Sequence, residues 1–143
     1  SPMTRAMLAQ VIYNMDGNPV IDNTSPFNDV DNSAWYSNAI AYSYANGFIN
    51  GYNNGSFGIN DNLTREQLAV ILYNYAGNPE LLTSSLDGFI DTNAASSFAI
   101  NALIWATENG IINGSNEFLN PTRDCSRAEV AQMITNYLKS TKK

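Results

Sequence analysis

The sequence of 143 residues contains no histidine and a single cysteine, Cys125. These absences exclude most transition-metal sites, and they exclude nucleophiles that depend on a histidine base. One cysteine cannot form a disulfide framework within the chain. Only carboxylate chemistry would remain for an enzyme, and no two acids recur in an arrangement that indicates a substrate cleft. We therefore expect a non-catalytic protein without a cofactor.

Charge is also scarce, since charged residues make up 14% of the sequence, with 7 Lys and Arg against 13 Asp and Glu. The net charge of -6 argues against nucleic acid and anionic membranes as partners, because both require a basic face. No apolar run approaches the roughly 18 residues of a membrane span, so we expect no membrane insertion. The segment Asp29-Val30-Asp31-Asn32-Ser33 matches the first half of a calcium loop. It lacks the central glycine and the closing glutamate, so we predict no metal site.

What the chain does contain is an internal repeat with a period of roughly 60 residues, which is typical of modular proteins. A Thr-Arg or Ser-Arg pair begins one recurring segment, and a longer block from Phe27 to Phe57 recurs from Phe89 to Phe118. The Thr-Arg or Ser-Arg pairs are Thr4-Arg5, Thr64-Arg65 and Ser126-Arg127. We predict that residues 1–18 are the C-terminal half of a first repeat, 27–77 a second repeat and 87–140 a third, degenerate repeat.

Each repeat predicts two helices joined by a loop. The hydroxyl residues Thr4, Thr64 and Ser126 stand at N-cap positions and precede apolar residues at helical spacing. Gln67 and Glu129 follow two of these caps by three residues, as in a capping box. Gly17 and Gly77 follow the second helices and are suited to end them. Neither helix can bury its apolar face alone, so the repeats must pack on one another. We therefore predict an all-α fold built as a pseudo-threefold bundle, with very short strands allowed in the inter-helix loops.

Cations are confined to a few positions, since Arg5, Arg65, Arg123 and Arg127 are the only ones before Lys139. Three of these arginines directly follow an N-cap, where a cation at an exposed site faces the helix dipole at a cost of about 0.3–1 kcal/mol. No acid follows three or four residues later to offset that charge. Two sources of negative charge remain: an acid from the adjacent repeat, such as Asp29 or Asp91, or an anionic ligand held by the guanidinium fork.

The order of motifs from Phe27 to Ala76 resembles the S-layer homology (SLH) repeat of bacterial cell-surface proteins: Phe-x-Asp-Val, Trp, Ala-Ile, Asn-Gly-Phe-Ile-Asn-Gly-Tyr, Asn-Gly-x-Phe and Leu-Thr-Arg-Glu. Residues 89–138 match more loosely, and residues 4–17 match as a half repeat. The resemblance implies a pseudo-trimeric module that attaches exported proteins of Gram-positive bacteria to secondary cell wall polysaccharide, often through a pyruvylated terminal sugar. It also implies an extracellular, cell-wall or S-layer-associated location within a larger surface or secreted protein.

The resemblance further implies which residues bind the ligand, because the family's repeated arginine anchors the acidic sugar in grooves between repeats. In the last repeat, Phe98 replaces the tryptophan of the pattern and Ser115 replaces the tyrosine. We therefore expect one fully competent groove, centred on Arg5 or Arg65 and the front half of the middle repeat. The implied ligand-binding residues are Arg5, Arg65, Arg127, Asp29, Trp35, Gly51, Tyr52, Asp91, Phe98 and Gly114.

Several of these assignments have a structural alternative. Trp35 and Phe98 would be core residues, and Asp29 and Asp91 would be cap or turn carboxylates. At the level of the whole chain, the alternative is a spacer or docking module of a large secreted enzyme or adhesin. The arginines would then form only ion pairs between repeats.

Overall fold

The computed structural model describes residues 1–21, 25–83, 86, 89, 91–113 and 118–141. These residues form five α-helices and two short 3₁₀ helices, Thr92–Ala94 and Ser97–Ala99. The α-helices are α1 (Arg5–Met15), α2 (Ser37–Ala45), α3 (Arg65–Tyr75), α4 (Ile100–Glu108) and α5 (Arg127–Ser140). The all-α class is therefore confirmed.

Strand structure in the described residues is limited to isolated β-bridge residues. The bridges with both partners described pair Pro2 with Ser126, Thr4 with Asn62, and Thr64 with Asp124. The bridges lie at the N-caps of α1, α3 and α5. The loop between α2 and α3, where we allowed a short strand, instead forms a turn that is closed by a hydrogen bond from the Tyr52 amide to the Ser56 carbonyl at 2.8 Å.

The three predicted N-caps are confirmed. The hydroxyl oxygens of Thr4, Thr64 and Ser126 accept hydrogen bonds from backbone amides three residues later, at 3.1–3.2 Å. In α3 and α5 that later residue is Gln67 or Glu129, whose side chain in turn binds the amide of the cap residue and completes a capping box. The sequence alone therefore determines where these helices begin.

Helices α1 and α3 end as their glycines predict. Gly17 and Gly77 have φ angles of +86° and +91°, in the left-handed region that glycine adopts at little cost. A tyrosine of each helix then binds the segment that follows it. The Tyr13 hydroxyl donates to the Pro19 carbonyl at 2.6 Å, and the Tyr73 hydroxyl donates to the Pro79 carbonyl at 2.8 Å.

The chain divides into two compact units, of which the first is Met3–Asn62. Within it, α1 packs against α2. Its fully buried side chains include Leu8, Ile12, Ile40 and Phe57. The first unit thus joins the back helix of the first predicted repeat to the front helix of the second.

The second unit comprises Leu63–Lys143 together with Ser1–Pro2. In this unit, α3 packs against α4 and α5. The ring of Trp105 lies 5.4 Å from that of Tyr73 and 5.9 Å from that of Tyr137, measured between centroids. Both compact units therefore cut across the sequence repeats, and the repeat boundaries and the pseudo-threefold packing stay predictions.

No helix in the described part of the chain is long and apolar enough to cross a membrane.

Candidate ligand-binding site

The side chain of Arg5, the first residue of α1, is buried against the loop that follows α2. Its Nε donates to the Phe57 carbonyl and its Nη2 to the Asn50 carbonyl, both at 2.8 Å. These two bonds fix the plane of the guanidinium group. Arg5, one of the two arginines proposed as the centre of a competent groove, thus contacts Asn50 and Phe57 of the middle repeat.

Two aromatic rings enclose the same guanidinium. The Arg5 Cζ lies 4.7 Å from the Tyr52 ring centroid and 5.0 Å from that of Phe57, within the range of cation–π attraction. Phe57 is fully buried, whereas Tyr52 is exposed and donates its hydroxyl to Asp61 Oδ2 at 2.8 Å. Tyr52 is therefore the solvent-facing cover of the arginine.

The charge of Arg5 has no direct acidic partner, since Arg5 forms no salt bridge with any described residue. Burial lowers the pKa of Arg5, while Tyr52 and the more distant carboxylates of Asp61 and Asp29 raise it. Within the described residues, Nη1 also donates to no acceptor. The site therefore presents a fixed, buried cation with an unused amino group.

Asp29 organises the segment that Arg5 contacts. Its carboxylate accepts the backbone amides of Phe57, Gly58 and Ile59 at 2.7, 2.9 and 3.4 Å. Desolvation raises the pKa of Asp29, but these three hydrogen bonds lower it more, so the net shift is downward. Asp29 thus has the geometry of the turn carboxylate that we considered as an alternative, and its ligand-binding role stays a prediction.

Asp91 repeats this arrangement in the second unit and corrects the alignment of the two blocks. Its carboxylate accepts the amides of Leu119 and Asn120 at 2.7 and 2.8 Å. Leu119 therefore takes the place of Phe57, so the predicted correspondence with Phe118 is wrong by one residue. Leu119 is 1% exposed and Phe118 39% exposed. Residue type favoured the phenylalanine, whereas the position requires the buried side chain.

Gly51 leaves room for the aromatic core of the first unit. A Cβ added there would lie 2.1 Å from Cε1 of Phe27, whose ring packs against Phe57 at 5.3 Å between centroids. This contact explains the glycine without a ligand, and the ligand-binding role of Gly51 stays a prediction.

Gly58 leaves room for the cover of the arginine. It has a φ of +80°, and an added Cβ would lie 2.5 Å from Tyr52 Cε2 and 2.7 Å from Asp61 Oδ2. With the corrected alignment, Asn120 and Arg123 stand in the third repeat where the middle repeat has Gly58 and Asp61. The sequence analysis did not identify Gly58 or Asp61 as part of the site. The signal that could have found them is that the third repeat replaces both of them together with Tyr52.

Trp35 and Phe98 are exposed, at 63% and 65%, so the core interpretation is wrong for both. Both residues precede the neighbouring α-helix, because α2 begins at Ser37 and α4 at Ile100. The Trp35 ring packs edge-on against Tyr36, with 5.2 Å between centroids. Both rings are therefore available for contact from solvent.

Arg65, the first residue of α3, is buried in an equivalent backbone framework with a different charge environment. Its Nε donates to the Leu119 carbonyl at 2.8 Å, but its Nη1 forms a salt bridge with Glu129 at 3.0 Å. The expected acid from the adjacent repeat thus exists at this arginine. It is Glu129 of α5 rather than Asp29 or Asp91, and the sequence had indicated Glu129 only as a capping residue.

Arg127 and Gly114 are the remaining residues predicted to bind the ligand. Arg127 is exposed at the start of α5, and its backbone amide donates to the Ser1 carbonyl at 2.9 Å. Gly114 and Ser115 lie outside the described residues. The ligand-binding roles of Arg127 and Gly114 therefore stay predictions.

Neither the acids nor the thiol of the described residues form a cluster of three or more groups that could hold a metal ion. In the calcium-like segment, Asp31 Oδ1 accepts both the amide and the hydroxyl of Ser33. Cys125 is completely buried, and burial raises its pKa to about 11. The thiol is therefore protonated at neutral pH and poorly suited to react.

Comparison with known proteins gives a family match over more than half of the chain. The model of the S-layer homology domain matches residues 26–69 and 89–131. Exoglucanase XynX of Acetivibrio thermocellus is 36% identical over 123 residues, which are 80% of this chain and 11% of that protein. An endoglucanase of Bacillus sp. (strain KSM-635) is 29% identical over 140 residues, which are 95% of this chain and 15% of that enzyme.

Two further similarities involve proteins of the bacterial surface layer. The surface-layer 125 kDa protein of Lysinibacillus sphaericus is 31% identical over 121 residues, which are 80% of this chain and 10% of that protein. Among solved structures, the undecaheme cytochrome from the S-layer of Carboxydothermus ferrireducens matches 99% of this chain and 21% of its own, with a TM-score of 0.50 and 20% identity. The structural similarity supports the fold alone, and the chain spans only a small part of each relative.

Proposed function

Because the chain belongs to the S-layer homology family, whose domains are non-catalytic modules that anchor extracellular proteins to the cell wall or S-layer, we propose that it binds secondary cell wall polysaccharide. We further propose that Arg5 receives the carboxylate of an acidic terminal sugar, such as one carrying a pyruvate ketal. The chain would thereby attach a larger surface or secreted protein to the wall.

The observation that carries this proposal is the buried cation at Arg5 without an acidic partner among the described residues. Two hydrogen bonds to backbone carbonyls hold the guanidinium in place, so it is ordered before any ligand arrives. A carboxylate that binds the remaining Nη1 edge would form a charge-assisted hydrogen bond. Such bonds contribute about 1.5–3 kcal/mol, which is roughly a tenfold to 150-fold difference in affinity.

Exposed aromatic side chains of the first unit support a sugar as the ligand. Tyr52 covers the arginine with its outer face in solvent, and Trp35 is largely exposed. Tyrosine and tryptophan offer large, rigid, amphipathic contact area at low conformational-entropy cost. A sugar ring presents both apolar C–H groups and hydroxyl groups, so it matches such a surface.

A structural role is the second candidate, and one observation favours it at Arg65. That arginine forms a salt bridge with Glu129, as expected of a spacer or docking module in which the arginines only join repeats. The same interpretation does not account for Arg5, which has no salt bridge to a described residue. We therefore assign the structural role to Arg65 and ligand binding to Arg5.

Retention of the chain on purified wall polysaccharide tests the proposal. The wild type should be retained, and it should be released when the pyruvate is chemically removed from the polysaccharide. Arg5→Gln should lose retention, whereas Arg123→Gln should keep it, because Arg123 lies in the second unit and is exposed. Retention that survives both pyruvate removal and Arg5→Gln would contradict the proposal.

The Arg5 variant must remain folded for this comparison to count. Arg5→Lys serves as a second variant because it keeps the charge but cannot reproduce the planar fork that reaches Asn50 and Phe57 together. We expect weakened retention for Arg5→Lys and lost retention for Arg5→Gln, with helical circular dichroism preserved in both.

A further inference from the structure

We infer that Glu129 prevents the cavity beside Arg65 from accepting a negatively charged ligand group. Its own carboxylate binds Arg65 and so excludes a carboxylate of the ligand. Replacement of Glu129 by glutamine creates a second site for an acidic group. This inference rests on the proposed function of Arg5 as an anchor for an acidic sugar.

The contacts of Glu129 show how completely its carboxylate is engaged. Its Oε2 binds Arg65 Nη1 at 3.0 Å and Arg123 Nη2 at 2.6 Å. Its Oε1 accepts the Ser126 amide at 3.1 Å and Arg123 Nη1 at 3.3 Å. The Glu129 carboxylate thus occupies the position at Arg65 that a ligand's carboxylate would need.

A cavity of about 160 Å³ adjoins this ion pair. Arg65 and Glu129 line it together with the amide side chains of Asn113, Gln132 and Asn136. That volume exceeds the space of a single water, which is about 30 Å³ in the liquid. The cavity has room for a ligand group, but an anion entering it would meet the carboxylate of Glu129, which already binds the Arg65 Nη1 that the anion would need.

The capping box separates the two roles of Glu129. In α5, Glu129 Oε1 accepts the Ser126 amide at 3.1 Å, and in α3, Gln67 Oε1 accepts the Thr64 amide at the same distance. An uncharged amide therefore caps a helix of this chain as well as a carboxylate does. The negative charge of Glu129 is not needed for the cap, so Glu129→Gln removes the charge and keeps the local fold.

The test is a gain of binding in a chain from which the Arg5 site has been removed. A pyruvylated monosaccharide is titrated into Arg5→Gln, Arg5→Gln/Glu129→Gln and Arg5→Gln/Glu129→Gln/Arg65→Gln, with binding followed by calorimetry. We expect no binding by the first variant, binding by the second at least tenfold above the first, and loss of that binding in the third.

Glu129→Asp in the same Arg5→Gln background is the matched control, since it keeps the negative charge. We expect it to bind no better than Arg5→Gln alone, and equal gains from Asp and Gln would overturn the inference. Absence of binding by the folded Glu129→Gln double variant, checked by thermal unfolding, would also overturn it.

These outcomes are distinguishable from failure of the proposed function. If the wild type fails to bind the sugar while the Glu129→Gln double variant binds it, the role of Arg5 is wrong and the role of Glu129 stands. If the wild type binds through Arg5 and the double variant does not, the role of Glu129 is wrong and the role of Arg5 stands.

Discussion

Arg5 and Arg65 occupy the same backbone framework in two different units, yet the charges around them differ. Each donates its Nε to a buried loop carbonyl at 2.8 Å, from Phe57 for Arg5 and from Leu119 for Arg65. Arg65 then pairs with Glu129, whereas Arg5 is enclosed by aromatic rings and has no salt bridge to a described residue. The repeat thus fixes the position of the cation, and the side chains around it decide whether its charge is available.

The two arginines differ in several neighbouring side chains at once. Beside Arg5, Asp61 accepts the hydroxyl of Tyr52, and this tyrosine covers the guanidinium. At the position of Asp61, the third repeat has Arg123, which binds Glu129. The replacement of the negative Asp61 by the positive Arg123 therefore accompanies the change from an aromatic cover at Arg5 to an ion pair at Arg65. The difference between the two sites is a set of residues, not a single substitution.

Arg65→Ala should have the largest effect on stability. It removes the hydrogen bond to Leu119 and leaves the partly buried Glu129 with Arg123 alone, so we expect a loss of about 2–4 kcal/mol in unfolding free energy. Urea unfolding followed by circular dichroism measures the loss. Arg123→Ala is the control: its side chain is 53% exposed, so we expect a loss below about 1 kcal/mol. Equal losses for the two variants would contradict the distinction between a buried and an exposed partner.

Gly58→Ala should disturb the cover of Arg5. The new methyl group would meet Tyr52 and Asp61, and because these two exposed side chains can move aside, the overpacking costs about 1 kcal/mol in addition to the strain of a positive φ. Gly47→Ala is the matched control, because Gly47 also has a positive φ, at +72°, but has no atom within 4 Å of the added Cβ. Thermal unfolding should show the larger loss for Gly58→Ala. Similar losses would mean that Tyr52 does not pack on Gly58 in solution.

The ion pair at Arg65 predicts a pH dependence of stability that comes from Glu129. Burial raises the pKa of Glu129, but the Ser126 amide, Arg123 and Arg65 lower it more, so its net pKa lies below its usual value of 4.5. A lowered pKa stabilises the fold above the unfolded value, and that contribution disappears as the pH falls through the folded pKa. The stability difference between wild type and Glu129→Gln should therefore be full at neutral pH and shrink below about pH 4.5. A constant difference in urea unfolding from pH 7 to pH 3 would contradict the pairing.

Ser43→Ala gives the smallest expected effect and compares two corresponding helices. The Ser43 hydroxyl in α2 is fully buried without a hydrogen-bond partner among the described residues, whereas Ala106 occupies the corresponding position of α4. Because an unsatisfied buried hydroxyl is unfavourable, we expect Ser43→Ala to stabilise the chain by up to about 1 kcal/mol. The reverse change, Ala106→Ser, should destabilise it by a similar amount. A loss of stability in Ser43→Ala would show that this hydroxyl has a partner.

The sequence predicted the features of this fold that depend on local chemistry. The hydroxyl caps at Thr4, Thr64 and Ser126 and the glycines after α1 and α3 lie where the pattern indicated, because a cap or a left-handed turn needs only neighbouring residues. The need for a negative charge from another segment or a ligand was also visible from spacing, since no acid stands three or four residues after any of the repeated arginines.

Contacts between distant segments were not predictable in the same way. Glu129 was recognisable as a capping residue, but its salt bridge joins α5 to the start of α3 and depends on how those helices pack. The same holds for Asp61, whose role follows from the Tyr52 hydroxyl that it accepts. The alignment error at Phe118 arose because residue type was compared without knowledge of burial.

The most direct test of the account compares Arg5→Gln with Arg65→Gln in the affinity of the chain for a pyruvylated monosaccharide, measured by calorimetry on folded protein. We expect Arg5→Gln to weaken binding at least tenfold, because it removes the cation that has no acidic partner among the described residues, whereas Arg65→Gln stays within about threefold of the wild type. Unchanged affinity in Arg5→Gln, or loss of affinity confined to Arg65→Gln, would show that Arg5 is not the anchor of the acidic sugar.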